Sequence, residues 1–262
     1  MNTFQYHLTD HLKLAKDIFV SNENARFLSG GMTLLPSMKH GLIQPDHLID
    51  VSKIPDLQVL KETSDHLMIG AAVKHDQVAN HPMVQSMIPG LAYLASQIGD
   101  PQVRARGTIG GSIANNDPSA DYPAGALALK AMMVTDRRDI AAEDFFTGFY
   151  STALEEGEIL CQIKFAKPIK SAYAKFKQAA SGYALAGVFI AVYPDQEIRV
   201  TVTGVGAGVF RWTEAEQAFL NPKMKPSIER DDLISDLHAP SAYRVNIAQV
   251  LFKKAAQQIQ NN

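Results

Sequence analysis

Two pairs of adjacent glycines constrain the fold of this chain more than any other feature of its sequence. They lie in the segments Ser29-Gly30-Gly31-Met32-Thr33 and Thr108-Ile109-Gly110-Gly111-Ser112, each flanked by hydroxyl residues. In each case an extended, apolar stretch gives way to a turn. Because glycine has no Cβ, two in succession let the backbone approach a ligand closely and turn its N–H groups outward. The sequence therefore predicts two loops that could converge on one pyrophosphate.

The first loop sits inside a recognisable local pattern. Residues 25–29 are typical of a short buried strand, residues 32–40 of a helix, and residues 47–51 of a second strand. Strand, glycine turn, helix and strand form a small βαβ unit, whose helix start is a natural anion site. The loop lacks the G-x-G-x-x-G and Gly-Lys-Ser/Thr patterns of the Rossmann and P-loop sites. A plain tight turn capped by Thr33 stays open as the alternative for this loop alone.

The second loop is predicted to run from Gly107 to Asp121. Its fifteen residues include three Gly, two Asn and two Asp. An irregular loop of this length loses much conformational entropy on folding unless something orders it. We therefore expect a ligand here rather than a plain structural loop. Asp121 at its end either accepts hydrogen bonds from a ribose or caps a helix predicted over residues 120–130.

The rest of the chain predicts an α+β protein. A hairpin is expected at 57–62 and 66–72, and a helix at 91–98. Period-two alternation predicts a strand at 159–165 with Cys161 on its core face, so this thiol is interpreted as core filler and not as a nucleophile. Three consecutive strands are predicted at 172–178, 186–193 and 197–205, followed by helical structure from Thr213 to the end.

Composition and motif searches exclude several functions. The 262 residues suit one composite body or two packed domains, and a net charge of −2 with no long basic run argues against nucleic-acid binding. Cys161 is the only cysteine, which excludes an internal disulfide and a Cys-ligated iron–sulfur cluster in this chain. The histidines form no metal-binding pattern, and no G-x-S-x-G elbow occurs. We predict no metal ligand and no catalytic acid or base.

The first residues, MNTFQYHLTDHLKLA, lack the basic and apolar regions of a signal peptide. No uncharged apolar run reaches the length of about 18 residues that a membrane span requires. We therefore expect a cytoplasmic protein.

Several segments together resemble the FAD-binding (medium) subunits of the molybdenum hydroxylases, the family of carbon monoxide dehydrogenase and xanthine dehydrogenase. The resemblance is carried by SGGMTLLPSMKHGLIQPDHLIDVSKI and TIGGSIANNDPSADYPAGALAL at the two loops, and by GEILCQIKF and YAKFKQAASGYALAGV after them. The ending SDLHAPSAYRVNIAQVLFKKA is similar to the carbon monoxide dehydrogenase branch.

The resemblance implies a flavoprotein fold of the vanillyl-alcohol-oxidase (PCMH) type. An FAD-binding domain would cover residues 1–167, with two α+β subdomains at about 1–55 and 56–167 that clasp FAD between them. A C-terminal domain of the carbon monoxide dehydrogenase flavoprotein type would cover 168–262, with a three-stranded antiparallel sheet and helices.

The resemblance also implies a set of cofactor-binding residues. The two glycine loops would hold the pyrophosphate and ribityl chain, Asp121 would contact the adenosine part, and Leu160 would pack near the adenine or the flavin ring. Lys177 would reach the flavin, and Tyr183 would lie against one face of the isoalloxazine. The full set is Leu28, Ser29, Gly30, Gly31, Met32, Thr33, Leu34, Leu35, Gly107, Thr108, Ile109, Gly110, Gly111, Ser112, Asp121, Leu160, Lys177 and Tyr183.

By the same resemblance, the chain works in a complex, expected to be a dimer of heterotrimers. A large molybdopterin subunit would hydroxylate the organic substrate, and a small subunit with two [2Fe–2S] clusters would pass electrons to the FAD. The FAD would deliver them to NAD, a quinone or dioxygen. Two alternatives remain open from the sequence: an autonomous flavin-dependent oxidase, and a non-catalytic scaffold that has lost FAD. Substrate identity would lie with the large subunit.

Overall fold

The computed structural model describes residues 3–261 and begins with a small parallel sheet. Its strands β1, β2 and β3 pair in the order β1-β3-β2 and are connected by helices α1 and α2. The bounds are β1 Gln5–Leu8, α1 Leu12–Ser21, β2 Ala25–Leu28, α2 Leu34–Lys39 and β3 His47–Asp50. This confirms the predicted βαβ unit, although α2 begins two residues later than expected. β1 and α1 add a second such unit, for which we made no prediction.

The central part combines a five-stranded sheet with short helices. Five strands pair in the order β4-β5-β10-β6-β7, all neighbours antiparallel. They span β4 Leu60–Glu62, β5 His66–Gly70, β6 Met132–Thr135, β7 Asp139–Ala141 and β10 Leu160–Ala166. The predicted hairpin corresponds to β4 and β5, with a 3₁₀ turn at Pro55–Gln58 in place of its first residues.

Six helices lie between β5 and β6, and a small hairpin precedes β10. Prolines occupy the first or second helical position in four of these six helices, where the missing N–H costs nothing. The helices are α3 His75–Asn80, α4 Pro82–Met87, α5 Pro89–Ser96, α6 Pro101–Arg106, α7 Ile109–Asn115 and α8 Tyr122–Ala128. A short helix α9, Ala142–Phe145, leads into the hairpin of β8 Phe146–Gly148 and β9 Ser151–Thr152.

The C-terminal part is an antiparallel sheet covered by a long helix. The three predicted strands are present, and a two-residue fourth strand extends the sheet in the order β11-β12-β13-β14. The elements are β11 Lys170–Lys177, β12 Ala184–Val192, β13 Ile198–Thr203, β14 Phe210–Arg211, α10 Thr213–Leu220 and α11 Ser241–Asn261. The prediction of continuous helix after Thr213 is wrong for 221–240, where Pro222 and Pro226 remove backbone donors.

Both faces of the C-terminal sheet are buried. One face carries Tyr173 and Phe189 into the core that surrounds the central helices. The other carries residues such as Val188 and Val200 into a second core beneath α11. This explains why β12 is an almost unbroken apolar run: its side chains find apolar partners in both directions.

Strand β10 departs from the simple alternation that we predicted. A bulge between Leu160 and Gln162 reverses the faces, so Leu160 joins Ile163 in the central core. Cys161 packs instead beside Ile159 in the core under the parallel sheet, and burial raises its thiol pKa to about 12. A thiol held in its protonated form suits the interpretation as filler.

The division into an FAD-binding domain at 1–167 and a C-terminal domain at 168–262 stays a proposal, and residues 1, 2 and 262 of these ranges lie outside the described residues. The parallel sheet ends at Asp50 and the central sheet begins at Leu60, which is compatible with the proposed subdomain boundary near 55.

Candidate cofactor-binding site

A cavity of about 960 Å³ lies between the parallel sheet, the central helices and the start of the C-terminal sheet. Pockets for ligands occupy roughly 300–1,000 Å³, so this one lies at the large end. Most of the predicted cofactor-binding residues line it: Leu28, Ser29, Gly30, Gly31, Met32, Thr33, Leu34, Gly107, Thr108, Gly110, Gly111, Ser112, Asp121, Leu160 and Tyr183. Leu35, Ile109 and Lys177 are not among its lining residues.

The two glycine loops meet, as the sequence predicted that they could. The Ser29 and Thr108 hydroxyl oxygens lie 3.1 Å apart in a hydrogen bond. A Cβ added to Gly30 would lie 2.5 Å from the Arg106 carbonyl oxygen and 2.6 Å from the Cα of Gly107. Only glycine permits this backbone-to-backbone contact.

The first loop leaves its backbone donors available. Gly31 has a φ of +74°, which turns the chain from β2 into α2, and the helix begins with the N–H of Leu35 donating to the Gly31 carbonyl at 3.1 Å. Within residues 3–261, no acceptor contacts the N–H groups of Gly30, Gly31, Met32 and Thr33. A row of unpaired N–H groups facing a cavity is suited to an anion.

The second loop is different, because most of it is helix. Residues 109–115 form α7, so the prediction of an irregular loop over 107–121 is wrong for these residues. Helical hydrogen bonds order them without a ligand. The Thr108 hydroxyl caps the helix by accepting the Gly111 N–H at 3.2 Å. The N–H groups of Ile109 and Gly110 donate to the Val73 and Ala71 carbonyls, at 3.0 and 2.9 Å. This loop therefore uses its donors internally.

The two glycines of the second pair face different surroundings. A Cβ on Gly110 would lie 2.4 Å from the Cβ of Ala71, inside the protein. A Cβ on Gly111 would meet only the Thr108 hydroxyl oxygen within 4 Å, at 2.9 Å. Gly110 is thus required by packing, while Gly111 forms part of the exposed cavity wall.

His75 supports the second loop, and the sequence analysis did not single it out. Its N–H donates to the Gly107 carbonyl at 3.0 Å, and a Cβ on Gly107 would lie 2.6 Å from its Nε2. Burial, with a smaller effect from the charge of Arg104, lowers the pKa of His75 to about 4. Its Nδ1 and the hydroxyl of Tyr122, whose ring packs against it, have no partner among the described residues. No local pattern distinguishes His75 from the other histidines.

Asp121 is held from the side of the C-terminal sheet. Its Oδ1 accepts from the Tyr173 hydroxyl at 2.5 Å, and its Oδ2 accepts from Lys175 Nζ at 2.7 Å. Burial raises the pKa of Asp121 and lowers that of Lys175, which opposes the attraction between the two charges. Asp121 precedes α8, yet its side chain makes no capping hydrogen bond, so the capping alternative is not supported.

Glu158 also lines the cavity, and the sequence analysis did not identify it. Its side chain is fully buried and accepts hydrogen bonds from Arg138, Thr135 and the Glu155 N–H. Despite the burial, these donors lower the pKa of Glu158 to about 2. The partners come from two separate turns, which only the folded chain brings together.

Tyr183 and Lys177, both expected near the flavin, occupy different positions. Tyr183 lines the cavity together with Thr33 of the first loop, and burial raises the pKa of its hydroxyl. The preceding Gly182 has a φ of +72°, and a Cβ there would lie 3.0 Å from the Cα of Gly99. Lys177 lies exposed at the end of β11. Both roles remain predictions.

Within residues 3–261, no group of three or more His, Cys, Asp or Glu side chains could hold a metal ion. Among the helices in that range, none has the length and apolar character needed to cross a membrane.

The geometry fits a dinucleotide such as FAD. Unpaired N–H groups at the first loop suit a pyrophosphate, and a side chain at Gly111 would enter the space beside them. The lining of the same cavity also includes Tyr183 from the C-terminal part and Glu158 from the segment before β10, and its volume suits a ligand of dinucleotide size.

Comparison with known proteins gives a consistent result. A family model described as "FAD binding domain in molybdopterin dehydrogenase" matches residues 2–168. The carbon monoxide dehydrogenase medium chain of Hydrogenophaga pseudoflava is 37% identical over 220 residues, which cover 79% of this chain and 77% of that protein. The glyceraldehyde dehydrogenase medium chain of Sulfolobus acidocaldarius is 30% identical over 277 residues, covering 98% of each.

A solved structure shares the fold over the whole length. It is the carbon monoxide dehydrogenase of Hydrogenophaga pseudoflava that lacks the Mo-pyranopterin moiety of its molybdenum cofactor. The superposition covers 99% of this chain and 98% of that chain, with a TM-score of 0.88 and 31% identity.

Proposed function

This chain belongs to the family of FAD-binding domains of molybdopterin dehydrogenases, and we propose that it relays electrons between a partner's [2Fe–2S] clusters and an external acceptor. Its cofactor is FAD, and it is the FAD-binding medium subunit of a molybdenum hydroxylase-type oxidoreductase. The observation that carries the proposal is the row of N–H groups, without an acceptor in residues 3–261, that the first glycine loop presents to the cavity.

When bound, FAD supplies the redox chemistry, and the protein supplies binding and orientation. The N–H groups of Gly30 to Thr33 would hold the pyrophosphate, with the hydroxyls of Thr108 and Ser112 beside them. Leu160 would contribute an apolar wall, and Tyr183 would pack against the isoalloxazine. Asp121 would contribute from a carboxylate that Tyr173 and Lys175 already hold in place.

The relay needs partners that this chain cannot replace. It has one cysteine, so it cannot hold a Cys-ligated cluster of its own. We propose a small subunit with two [2Fe–2S] clusters and a large molybdopterin subunit, assembled as a dimer of heterotrimers. NAD, a quinone or dioxygen would accept the electrons. The names of the relatives, as medium chains of dehydrogenases, support this assignment.

Native purification followed by cofactor analysis tests the proposal. The chain should elute in a large complex together with iron and molybdenum, and denaturation should release FAD. Recovery of FMN, or of no flavin after reconstitution, would contradict the cofactor assignment. A chain that oxidises a small substrate at a useful rate without partners would contradict the relay and favour an autonomous oxidase. A chain that binds no FAD would favour the scaffold.

A further inference from the structure

One wall of the cavity is held by the C-terminal sheet. The wall is the segment 117–121, of which Asp117, Ala120 and Asp121 line the cavity. The N–H of Gly204 donates to the Pro118 carbonyl at 2.9 Å, and the N–H of Ala184 donates to the Ser119 carbonyl at 3.2 Å. The ends of β12 and β13 are thereby attached to this wall.

Buried side chains of the same sheet add to the attachment. The hydroxyl of Thr203 lies within hydrogen-bond distance of the Pro118 and Ala120 carbonyls, at 3.0 and 2.7 Å. The hydroxyl of Thr201 donates to the Ala124 carbonyl in α8 at 2.8 Å. Thr201 is 0% exposed and Thr203 is 1% exposed, so their hydroxyls have no solvent to bond with instead.

Asp121 attaches the wall to the sheet through a buried ion pair. Tyr173 and Lys175 on β11 hold its two carboxylate oxygens, and the exposed fractions of the Lys175 and Asp121 side chains are 2% and 4%. Lys175 also donates to the Gln97 carbonyl at 3.2 Å, which ties the pair to the end of α5. A buried charge pair of this kind fixes geometry more effectively than it adds stability.

Arg244 of α11 holds the ends of β12 and β13 that contact the wall. Its buried guanidinium donates to the carbonyls of Gly204 and Leu185, at 2.7 and 2.9 Å. These residues lie at the strand ends whose N–H groups bond the wall. A chain of hydrogen bonds therefore runs from the last helix through the sheet to the cavity.

We propose that Lys175 and Tyr173 are positioning residues for FAD, which fix the Asp121 carboxylate in the cavity wall. Both lie beyond residue 168, where the match to the FAD-binding family model ends. The C-terminal part is thus a component of the cofactor site and not only a neighbour of it. This inference rests on the function proposed above.

Titration of the deflavinated full-length chain with FAD, followed by flavin fluorescence, tests the proposal. We expect Lys175→Met to weaken FAD binding at least about tenfold, because the wall loses its anchor and Asp121 becomes an unpaired buried charge. Tyr173→Phe keeps the ring and removes only the hydroxyl, and we expect roughly threefold to tenfold weaker binding. The matched control is Lys170→Met on the same strand, whose ammonium bonds the Ile259 carbonyl, and its affinity should stay within about twofold.

The double variant Lys175→Met/Asp121→Asn separates positioning from stability. It removes both buried charges, so the melting temperature of the apoprotein should recover relative to Lys175→Met. FAD affinity should remain at least about tenfold weaker, since no positioned carboxylate is left. Recovery of affinity together with stability would show a purely structural role and overturn the proposal.

The single variants give a second way to contradict it. Unchanged FAD affinity in Tyr173→Phe and in folded Lys175→Met would also overturn the inference. If Lys175→Met fails to fold, the Tyr173→Phe result decides. Wild-type chain that binds no FAD would instead count against the proposed function, so the two failures are distinguishable.

Discussion

The two glycine loops look alike in sequence but contribute opposite things to the site. The N–H groups of the first have no acceptor in residues 3–261, and this loop reaches its conformation through a positive φ at Gly31. In the second, the N–H groups donate to the Ala71 and Val73 carbonyls and to the capping Thr108 hydroxyl. This loop needs glycine because the backbone of Ala71 comes too close for a side chain at Gly110. A glycine pair therefore indicates either exposed donors or tight packing, and the sequence alone does not say which.

The second loop serves as the support on which the first one rests. Gly30 of the first loop packs directly on the backbone of Arg106 and Gly107, and Gly107 in turn packs on His75. Substitutions on the packed side of the second loop should then affect folding, while substitutions that face the cavity should weaken FAD binding. The predictions below test this difference, from the largest expected effect to the smallest.

The second pair itself provides the strongest test. Gly110→Val places branched carbons where Ala71 already lies 2.4 Å from a Cβ, so we expect the free energy of unfolding to fall by more than about 3 kcal/mol. In Gly111→Val the new side chain points toward the cavity, so stability should fall by about 1 kcal/mol and FAD binding by at least tenfold. Urea denaturation and FAD titration measure the two effects. Equal stability losses in both variants would remove the distinction.

His75 gives the second loop a dependence on pH. The folded pKa is about 4, below the ordinary value of 6.5, so the unfolded chain takes up a proton first as pH falls. Stability contributed by the neutral imidazole is intact above pH 6.5 and is lost progressively between 6.5 and 4, by about 2 kcal/mol at pH 5.

Denaturant unfolding of the wild type and of His75→Gln at pH 7 and pH 5 measures this loss. Between pH 7 and pH 5, the free energy of unfolding of the variant should fall by about 2 kcal/mol less than that of the wild type. Glu158 does not interfere, because its pKa is lowered from 4.5 to about 2 and its stability contribution is lost only within that lower range. The same decrease in both proteins would assign the pH dependence to other groups.

In the first loop, Gly31→Ala should cost about 1–2 kcal/mol of stability, because an L residue is strained at a φ of +74°. Gly41→Ala is the matched control, with a φ of +72° and its nearest neighbour atom at 3.7 Å. Both variants should lose stability, and only Gly31→Ala should weaken FAD binding. Thermal unfolding and FAD titration compare them, and a similar affinity for both would place the first loop outside the phosphate site.

The smallest effect is expected where the loops touch through side chains. Ser29→Ala removes the hydroxyl that bonds Thr108, which is worth about 0.5–1.5 kcal/mol, so FAD affinity should fall by less than about tenfold. Ser96→Ala removes a hydroxyl that bonds the Tyr93 carbonyl, outside the cavity lining, and should leave affinity unchanged. An FAD titration that finds the two variants equal would show that this contact does not align the loops.

Much of the fold was predictable because its signals are local. Three consecutive extended stretches with short turns between them predicted β11, β12 and β13, and the turn at Gly30-Gly31 predicted β2, α2 and β3. The same reasoning failed at β10, where a bulge shifts Leu160 to the other face, and after Leu220, where prolines end the helix. A bulge depends on the partner strand, so no pattern in a single strand reveals it.

The site was predictable in outline and not in its chemistry. The resemblance and the glycines indicated the lining residues, but His75, Glu158 and Lys175 were missed. His75 acts through Gly107, about thirty residues away in sequence, and Lys175 acts through Asp121. Their roles come from burial and from partners that are distant in the chain, which periodicity does not report.

The sequence by itself determined where the backbone could turn sharply and where a side chain could not be tolerated. It therefore specified the two loops, the strands around them and the kind of ligand that they suit. Only the tertiary structure decided which N–H groups remain free. Ala71 and Val73 follow β5 and take the donors of the second loop, whereas nothing in residues 3–261 takes those of the first. Hydrogen-bond partners are assigned when separate segments pack together, so the difference between two similar loops arises only on folding.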